Sequence, residues 1–387
     1  MSNLEELIER LCPDGVEYKK IGELVDYEQP GNYIVSSTKY SDEYNIPVLT
    51  AGQTFILGYI NETDGVYKSS KDNPVIIFDD FTAAFKWVDF EFKVKSSAIK
   101  ILTVNNTLTT IRYIYHVMGF LNISSDEHKR LWIGTYSNIK VPVPPLEVQR
   151  EIVRLLDNFT FLTAELAAEL AARQKQYEYY RDLLLTFKPN ESTILNERTN
   201  ELEINAPVRW MKLGDIADIK RGIRVVKKQL ITEGKYPVYQ NSLEPMGFFN
   251  KYNCEAETTY VISAGAAGEI GFCNKKFWAA DDCLIFTDTK NVNNKFIYYS
   301  LLVRKNILLA NVRKASIPRL SRIVVENLII PVPPLEVQQR IVDILDRFDS
   351  LCNDISDGLP AEIEARQKQY EYYRDKLLTF KKLKKEA

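Results

Sequence analysis

Histidine is nearly missing from this chain of 387 residues, which holds only His116 and His128. Two imidazoles leave little material for a histidine-based catalytic or metal constellation, and each reads as a surface or loop residue. The five cysteines (Cys12, Cys254, Cys273, Cys283 and Cys352) are odd in number, unclustered and without CxxC spacing. They argue against a zinc site and suit a reducing cytoplasm. No apolar run approaches the length of a membrane span, and the first residues lack a basic-then-apolar signal pattern. Also missing are a GxxxxGK(S/T) phosphate loop, GxGxxG, HExxH and the Asp/Asn-Pro-Pro-Tyr/Phe tetrapeptide of amino-methyltransferases. GAAGEIG (Gly265–Gly271) lacks a following helix and reads as a close backbone approach between strands. Ser124, Ser125, Asp126 and His128 read as a loop rather than a triad.

What the chain has is a repeat. PVPPLEVQ at Pro142–Gln149 returns at Pro331–Gln338, and ARQKQYEYYRDLLLTFK at Ala172–Lys188 returns at Ala365–Lys381 with one change, Leu183 against Lys376. The pattern is a variable body followed by a constant helical segment, twice over. The first constant segment predicts a helix from Glu147 to Phe187, about 60 Å long at the usual rise. Pro145 suits its first position and Glu147 its first turn. Leu155, Phe159, Leu162, Leu166, Leu170, Tyr177, Tyr180, Leu184 and Phe187 mark a heptad seam with one four-residue stutter. The second copy carries the seam through Phe348, Leu351, Ile355, Leu359, Ile363, Tyr370, Tyr373, Leu377 and Phe380, with Gly358 and Pro360 expected to break or kink the helix. So narrow a seam needs a partner helix, and the other copy is the nearest. A pseudo-two-fold relation between the halves makes the pair antiparallel.

The expected divisions are a body at 1–140, its helix at 141–188, a polar acidic linker at 189–207, a second body at 208–329 and its helix at 330–387. In the first body, Ile46–Ile60, Pro74–Phe81 and Phe92–Leu102 read as strands and Leu108–Met118 as helix. The second body repeats the plan with Tyr236–Ser242, Thr259–Cys273 and Ala279–Asp288, then a helical stretch at Asn294–Ala310. The fold class is α+β: two β-rich domains separated by two long helices in an antiparallel coiled coil.

The net charge of −2 conceals an asymmetry. The first body has 14 basic and 19 acidic side chains, the second 19 and 11. Lys220, Arg221, Arg224, Lys227 and Lys228 crowd around Gly222, and Arg313, Lys314, Arg319 and Arg322 form a second cluster. Cationic loops neutralise phosphates and present arginine or lysine to guanine edges, while Tyr239, Gln240 and Asn241 add amide readout of adenine. A merely solvated basic face is the plain alternative. In the first body the corresponding loop is read as Thr50–Gln53, flanked by Lys39, Lys68, Lys86 and Trp87. Candidate DNA contacts there are Thr50, Gln53 and Lys86.

Two other readings stay open. Asp79 or Asp80 with Glu91 and Lys93 resembles the Asp…Glu-x-Lys pattern of a metal-dependent nuclease, in which carboxylates hold a divalent ion. The same letters fit an alternating strand whose apolar face is Phe90, Phe92 and Val94. A coiled-coil scaffold that binds only proteins is the third reading, against which the basic loops argue.

Together these features resemble the specificity subunit of a type I restriction–modification system. The resemblance covers essentially the whole chain. It rests on PPLEVQ-x-x-IV-x-x-LD-x-F (Pro144–Phe159 and Pro333–Phe348), on RQKQYEYYRD-x-LL-x-F in both copies and on GLPAEIEARQKQYEYYRD (Gly358–Asp375). PVLTAGQTFILGY (Pro47–Tyr59) and PVIIFDDFTAAFKWVDFEFKVKSSA (Pro74–Ala98) are similar to target-recognition domains of that family. The resemblance implies a non-catalytic, cytoplasmic chain with two target-recognition domains, each reading half of a split sequence in double-stranded DNA. It implies that the helices fix the gap and dock two modification (methyltransferase) subunits, which carry S-adenosylmethionine. Restriction subunits, using ATP and magnesium, join that core.

Overall fold

The computed structural model describes residues 2–52, 54–104, 107–123, 129–187, 193–196, 201–204, 208–353 and 358–383. In chain order the first body is α1 (Ser2–Leu11), β1 (Glu17–Lys20), α2 (Ile21–Leu24), β2 (Asp26–Glu28), β3 (Ile46–Leu49), β4 (Ile56–Ile60), β5 (Val75–Asp79), β6 (Phe85–Val88), β7 (Lys93–Val94), β8 (Ile99–Thr103), α3 (Ile111–Leu121) and β9 (Lys140–Val143). The helix α4 (Leu146–Leu185) follows. A hairpin of β10 (Thr193–Asn196) and β11 (Glu201–Ile204) lies within the segment expected to be a bare linker. The second body is β12 (Arg209–Lys212), α5 (Leu213–Ile216), β13 (Asp218–Arg221), β14 (Tyr236–Tyr239), β15 (Gly247–Phe249), β16 (Thr258–Ile262), β17 (Ile270–Cys273), β18 (Trp278–Ala279), β19 (Cys283–Thr287), α6 (Asn294–Val303), α7 (Lys305–Ala310), α8 (Arg322–Asn327) and β20 (Ile329–Val332). Two helices close the chain, α9 (Leu335–Asn353) and α10 (Leu359–Leu378).

The bodies share one topology. A four-stranded sheet runs β2-β8-β5-β6 in the first and β13-β19-β16-β17 in the second; a three-stranded sheet runs β4-β3-β7 and β15-β14-β18. In each small sheet one pair is parallel, β3 with β7 and β14 with β18. Period-two alternation makes the large sheet a middle layer. On β5, Ile76 and Phe78 join the core with α3, whereas Val75 and Ile77 join the core beneath the small sheet. On β19, Leu284 and Phe286 pack with the helix side, Cys283 and Ile285 with the other.

Several expected elements are subdivided, Thr259–Cys273 among them, which is the β16–β17 hairpin. Ile46–Ile60 is a hairpin, because the Thr50 hydroxyl accepts from Gly52 N and turns the chain between β3 and β4. Phe92–Leu102 is two strands, because Ser96 accepts from Ala98 N and Ile99 N and competes with the ladder. Asn294–Ala310 breaks between α6 and α7 at Arg304, with φ −102° and ψ 11°.

The chain divides into two compact units, Met1–Leu166 with Ile363–Ala387, and Ala167–Glu362. In the first, Phe159 of α4 stacks on Tyr373 of α10, centroids 5.2 Å apart. In the second, Tyr180 of α4 stacks on Phe348 of α9 at 5.6 Å. Phe159 and Phe348 are repeat equivalents, as are Tyr180 and Tyr373. The same contact is thus made twice with the copies exchanged, which is the signature of an antiparallel pair. Leu162, expected on the seam, is instead 43 % exposed. The stripe drifts because α4 first packs on its own body by four-residue steps, Val148, Ile152 and Leu156.

Each helix is also hooked to its body. The buried amide of Gln149 donates to Leu108 O and Pro144 O, and that of Gln338 to Asn291 O and Pro333 O. Thr110 caps α3 and Asn293 caps α6. One turn further, Arg112 and His116 hold Asp157, whereas Lys295 and Tyr299 hold Asp346. His116, expected at the surface, is therefore buried on α3, with Nε2 2.7 Å from Asp157 Oδ1. His128 and the neighbouring serines lie outside the described residues.

Candidate nucleic-acid interface

In the second body, backbone hydrogen bonds join several loops into one rim. The chain leaving β13 crosses the start of β19: Gly222 N donates to Cys283 O and Ile223 N to Ala279 O, while Trp278 Nε1 donates to Ile223 O. Only glycine fits at 222, since a Cβ there would lie 2.2 Å from Ala280 O. Ala280 N donates to Tyr239 O, tying in the loop after β14, and Ala266 N donates to Asn241 O. Gly265, at φ +84°, brings its backbone against the Asn241 side chain, as the close-approach reading expected. Gly265 N in turn donates to Pro318 O, and Arg313 and Arg319 exchange backbone bonds of 2.8 and 3.2 Å that close the 313–319 tip.

Arg221, Arg224, Lys227, Lys228, Arg313, Lys314 and Arg319 are all exposed on this rim. None of these side chains has an ion-pair partner among the described residues. Elsewhere in the unit Lys276, Lys295, Lys305 and Arg322 are each matched to a carboxylate. Uncompensated cations gathered on adjoining loops make a local positive field suited to a polyanion.

Some expected contacts are placed otherwise. Lys220 sits 2.7 Å from Asp288 and 3.5 Å from Asp218, and the Asp288 bond raises its pKa; its charge is committed. Tyr239 turns its ring into the core against Tyr260 and Phe277. Burial, then nearby Cys273, pushes its hydroxyl up to about 12, so it is a packing residue. Gln240 is half-buried with its amide 3.4 Å from Asp282, whereas Asn241 is exposed.

The shared topology also corrects one correspondence. Thr50, after β3, stands where Gln240 stands after β14, so the counterpart of the basic loop is the stretch after β2. There Glu28 occupies the place of Lys220. Glu28 accepts from the Tyr33 hydroxyl, and burial together with that bond lifts Tyr33 to about 12. Gln29 accepts from Lys100, itself buried 3.2 Å from Asp80. A loop that is cationic in one body is acidic and internally bonded in the other. Lys86 lies half-buried on β6, the edge of the four-stranded sheet, whereas Thr50 follows a strand of the other sheet. Trp87 beside it faces the Arg112 guanidinium at 4.5 Å. Gln53 lies outside the described residues.

The nuclease constellation does not assemble. Asp79 accepts from Phe81 N and Thr82 N in a local turn, Asp80 holds Lys100, and Glu91 pairs with exposed Lys68. Lys93 is buried 2.7 Å from Glu62 and donates to Asp64 O. It is not on the solvent face of an alternating strand, because the half-buried Glu62 carboxylate and the Asp64 carbonyl give the inward-turned ammonium its partners. Among the described residues no group of three or more His, Cys, Asp or Glu is placed to hold a metal ion.

A second surface escaped the sequence reading. Gln174, Lys175, Glu178, Tyr179 and Asp182 are exposed on α4, and the identical residues Gln367, Lys368, Glu371, Tyr372 and Asp375 are exposed on α10. Tyr179 and Tyr372 are 63 % and 64 % exposed. Each unit shows one copy of this ribbon. The signal was present in the near-identical repeat, but only the structure separates its solvent-facing letters from its buried ones.

Among the described residues no helix is long and apolar enough to cross a membrane. The family model of the type I restriction modification DNA specificity domain matches residues 13–173 and 207–365, one match per half. A specificity subunit of a type I restriction enzyme of Escherichia coli is 40 % identical over 415 residues, covering 99 % of this chain and 98 % of the relative. The crystal structure of the S subunit of a type I restriction–modification system from M. genitalium superposes with a TM-score of 0.67 at 15 % identity, covering 94 % of this chain and 96 % of that one. A chain from a structure addressing complex assembly and conformational transition of the type I system gives 0.55 at 17 % identity, with 95 % and 98 % covered. At such identities the two structures speak for the fold alone. With both halves matched by one domain family and a relative aligned along nearly the full length, the chain belongs to the type I restriction modification DNA specificity family.

Proposed function

We propose that this chain is the sequence-reading, non-catalytic subunit of a cytoplasmic type I complex, binding a split target in double-stranded DNA. The observation that carries the proposal is the rim of cations Arg221, Arg224, Lys227, Lys228, Arg313, Lys314 and Arg319, without ion-pair partners among the described residues, on loops fixed by backbone bonds. Such residues position a duplex by its phosphates and, where a fork reaches the major groove, read guanine. Asn241 adds an amide on the same rim. The first body reads the other half-sequence with few cations, through Thr50, Gln53 and Lys86 and their neighbours.

Partner docking rests on the repeated ribbon. Burial constrains Tyr177 and Tyr370, but it places no demand on exposed Tyr179 and Tyr372. Identity at exposed positions in both units fits two copies of one partner, the modification subunits. Restriction subunits join that assembly; S-adenosylmethionine, ATP and magnesium belong to the partners.

The test is Arg221→Ala with Arg224→Ala in the assembled complex. Affinity should fall by about 1–3 kcal/mol for each base contact and less for each phosphate contact, with a shallower salt dependence. Unchanged affinity with an unchanged salt slope would remove this rim from the DNA.

A further inference from the structure

Each of the two basic loops of the second body carries an isoleucine that the core does not claim. Ile223 lies between Arg221 and Arg224 and is 57 % exposed; Ile317 lies between Lys314 and Arg319 and is 52 % exposed. A lone exposed isoleucine is unremarkable on a protein surface. These two differ in how they are held and in what surrounds them.

Ile223 is fixed by both its backbone groups: its N–H donates to Ala279 O, and its carbonyl accepts from the Trp278 indole at 2.8 Å. Ile317 sits on the tip closed by the Arg313–Arg319 pair and is followed by Pro318, whose carbonyl accepts from Gly265 N. Proline confines the preceding residue to extended backbone, and a β-branched side chain has few rotamers left. Both side chains are thus presented stiffly to solvent, among cations with no ion-pair partner among the described residues. In the first body the position equivalent to Ile223 is Gly31, which has no side chain to present.

We propose that Ile223 and Ile317 are specificity residues that contact thymine 5-methyl groups in the major groove of the half-sequence read by the second body. The inference rests on the DNA-binding reading of this rim. Flanking cations bring the duplex in through its phosphates, which carry no sequence information. The 5-methyl of thymine is the one apolar mark on a base edge in the major groove, and a preordered aliphatic side chain matches it without bending the duplex. An apolar wedge between base steps, the other use of an isoleucine at DNA, would require a kinked site.

The test uses the assembled complex and duplexes in which single thymines of that half-sequence are replaced by uracil, which deletes only the methyl. Burying one methyl is worth about four-fold in affinity, so each contacted thymine should show a loss of that order with the unaltered protein. Ile223→Ala or Ile317→Ala should show a similar loss on the thymine duplex and no further loss when its own thymine becomes uracil. Both residues are exposed, so neither change disturbs packing; unaltered reading of the first half-sequence confirms that the chain is folded. Equal uracil sensitivity in unaltered and substituted proteins overturns the proposal, as does a half-sequence without thymine. A duplex kinked at this site, with no response to uracil, assigns the isoleucines to a wedge and also overturns it. Failure here with a salt-dependent, Arg221-sensitive affinity leaves the DNA reading standing, whereas loss of both defeats that reading itself.

Discussion

Asp157 and Asp346 occupy the same place in the two halves but are held by different chemistry. At Asp346 a lysine and a phenol supply the bonds; at Asp157 an arginine and a buried imidazole do. Burial alone would raise the Asp157 pKa, but the His116 bond and the Arg112 charge outweigh it and hold the carboxyl below its ordinary range. A depressed carboxylate contributes stability in full above its unfolded value of about 3.9, and that contribution is lost as pH falls through the lower folded value. Asp157→Asn should therefore cost the first unit about 1–3 kcal/mol near neutrality and blunt its acid sensitivity. Urea unfolding followed by the fluorescence of Trp87 and Trp132 reads this out; an unchanged midpoint and acid profile would show that the clamp carries no stability. None of this could be read from the letters. His116 looks like any histidine until α3 is laid against α4, and Lys220 looks free until the β13–β19 register brings Asp288 beside it. Thr50, Asn241 and the arginines are visible as types, but their neighbours are set by strand pairing.

At the scale of elements, the repeat made the helices legible almost to the residue: Glu147–Phe187 expected, Leu146–Leu185 observed. Identical stretches report a shared environment, and a seam reports a partner. The bodies were legible as β-rich runs in a repeated succession but not as strand ends or sheet order, because serine and threonine hydroxyls turn the chain inside those runs and pairing joins distant ones. The middle of α4 touches little: within TAELAAEL (Thr163–Leu170), Ala164, Glu165, Ala167, Ala168 and Glu169 are exposed. One further Ala-Glu-Leu-Ala unit there lengthens the helix joining the two units by about 6 Å and turns it about 40° past a full turn. A four-residue step is one of the seam's own intervals. The expected outcome is methylation of the same two half-sequences with a gap one or two base-pair steps longer, at about 3.4 Å each. Activity at the original gap, or altered half-sequences, would show that this helix does not set the spacing.

For the whole molecule, the charge imbalance between the bodies was legible and its location was not. Nineteen basic residues were countable, but which ones lack partners depends on the fold. The stacking of Phe159 on Tyr373 and of Tyr180 on Phe348 has a consequence for how little of the chain is needed. Every partner in those two contacts has its chemical double in residues 1–188, since Phe159 and Tyr180 stand in for Phe348 and Tyr373. Two copies of that fragment can complete each other's contacts, Phe159 of each meeting Tyr180 of the other. The fragment is expected to be dimeric by sedimentation and, with its partners, to methylate an inverted repeat of the first half-sequence alone. A fragment that stays monomeric at micromolar concentration would show that the stacked pairs need the second copy's own surroundings. On that outcome an asymmetric target would be a choice rather than a necessity: one gene half would suffice for a palindrome, and the second half would add a different word.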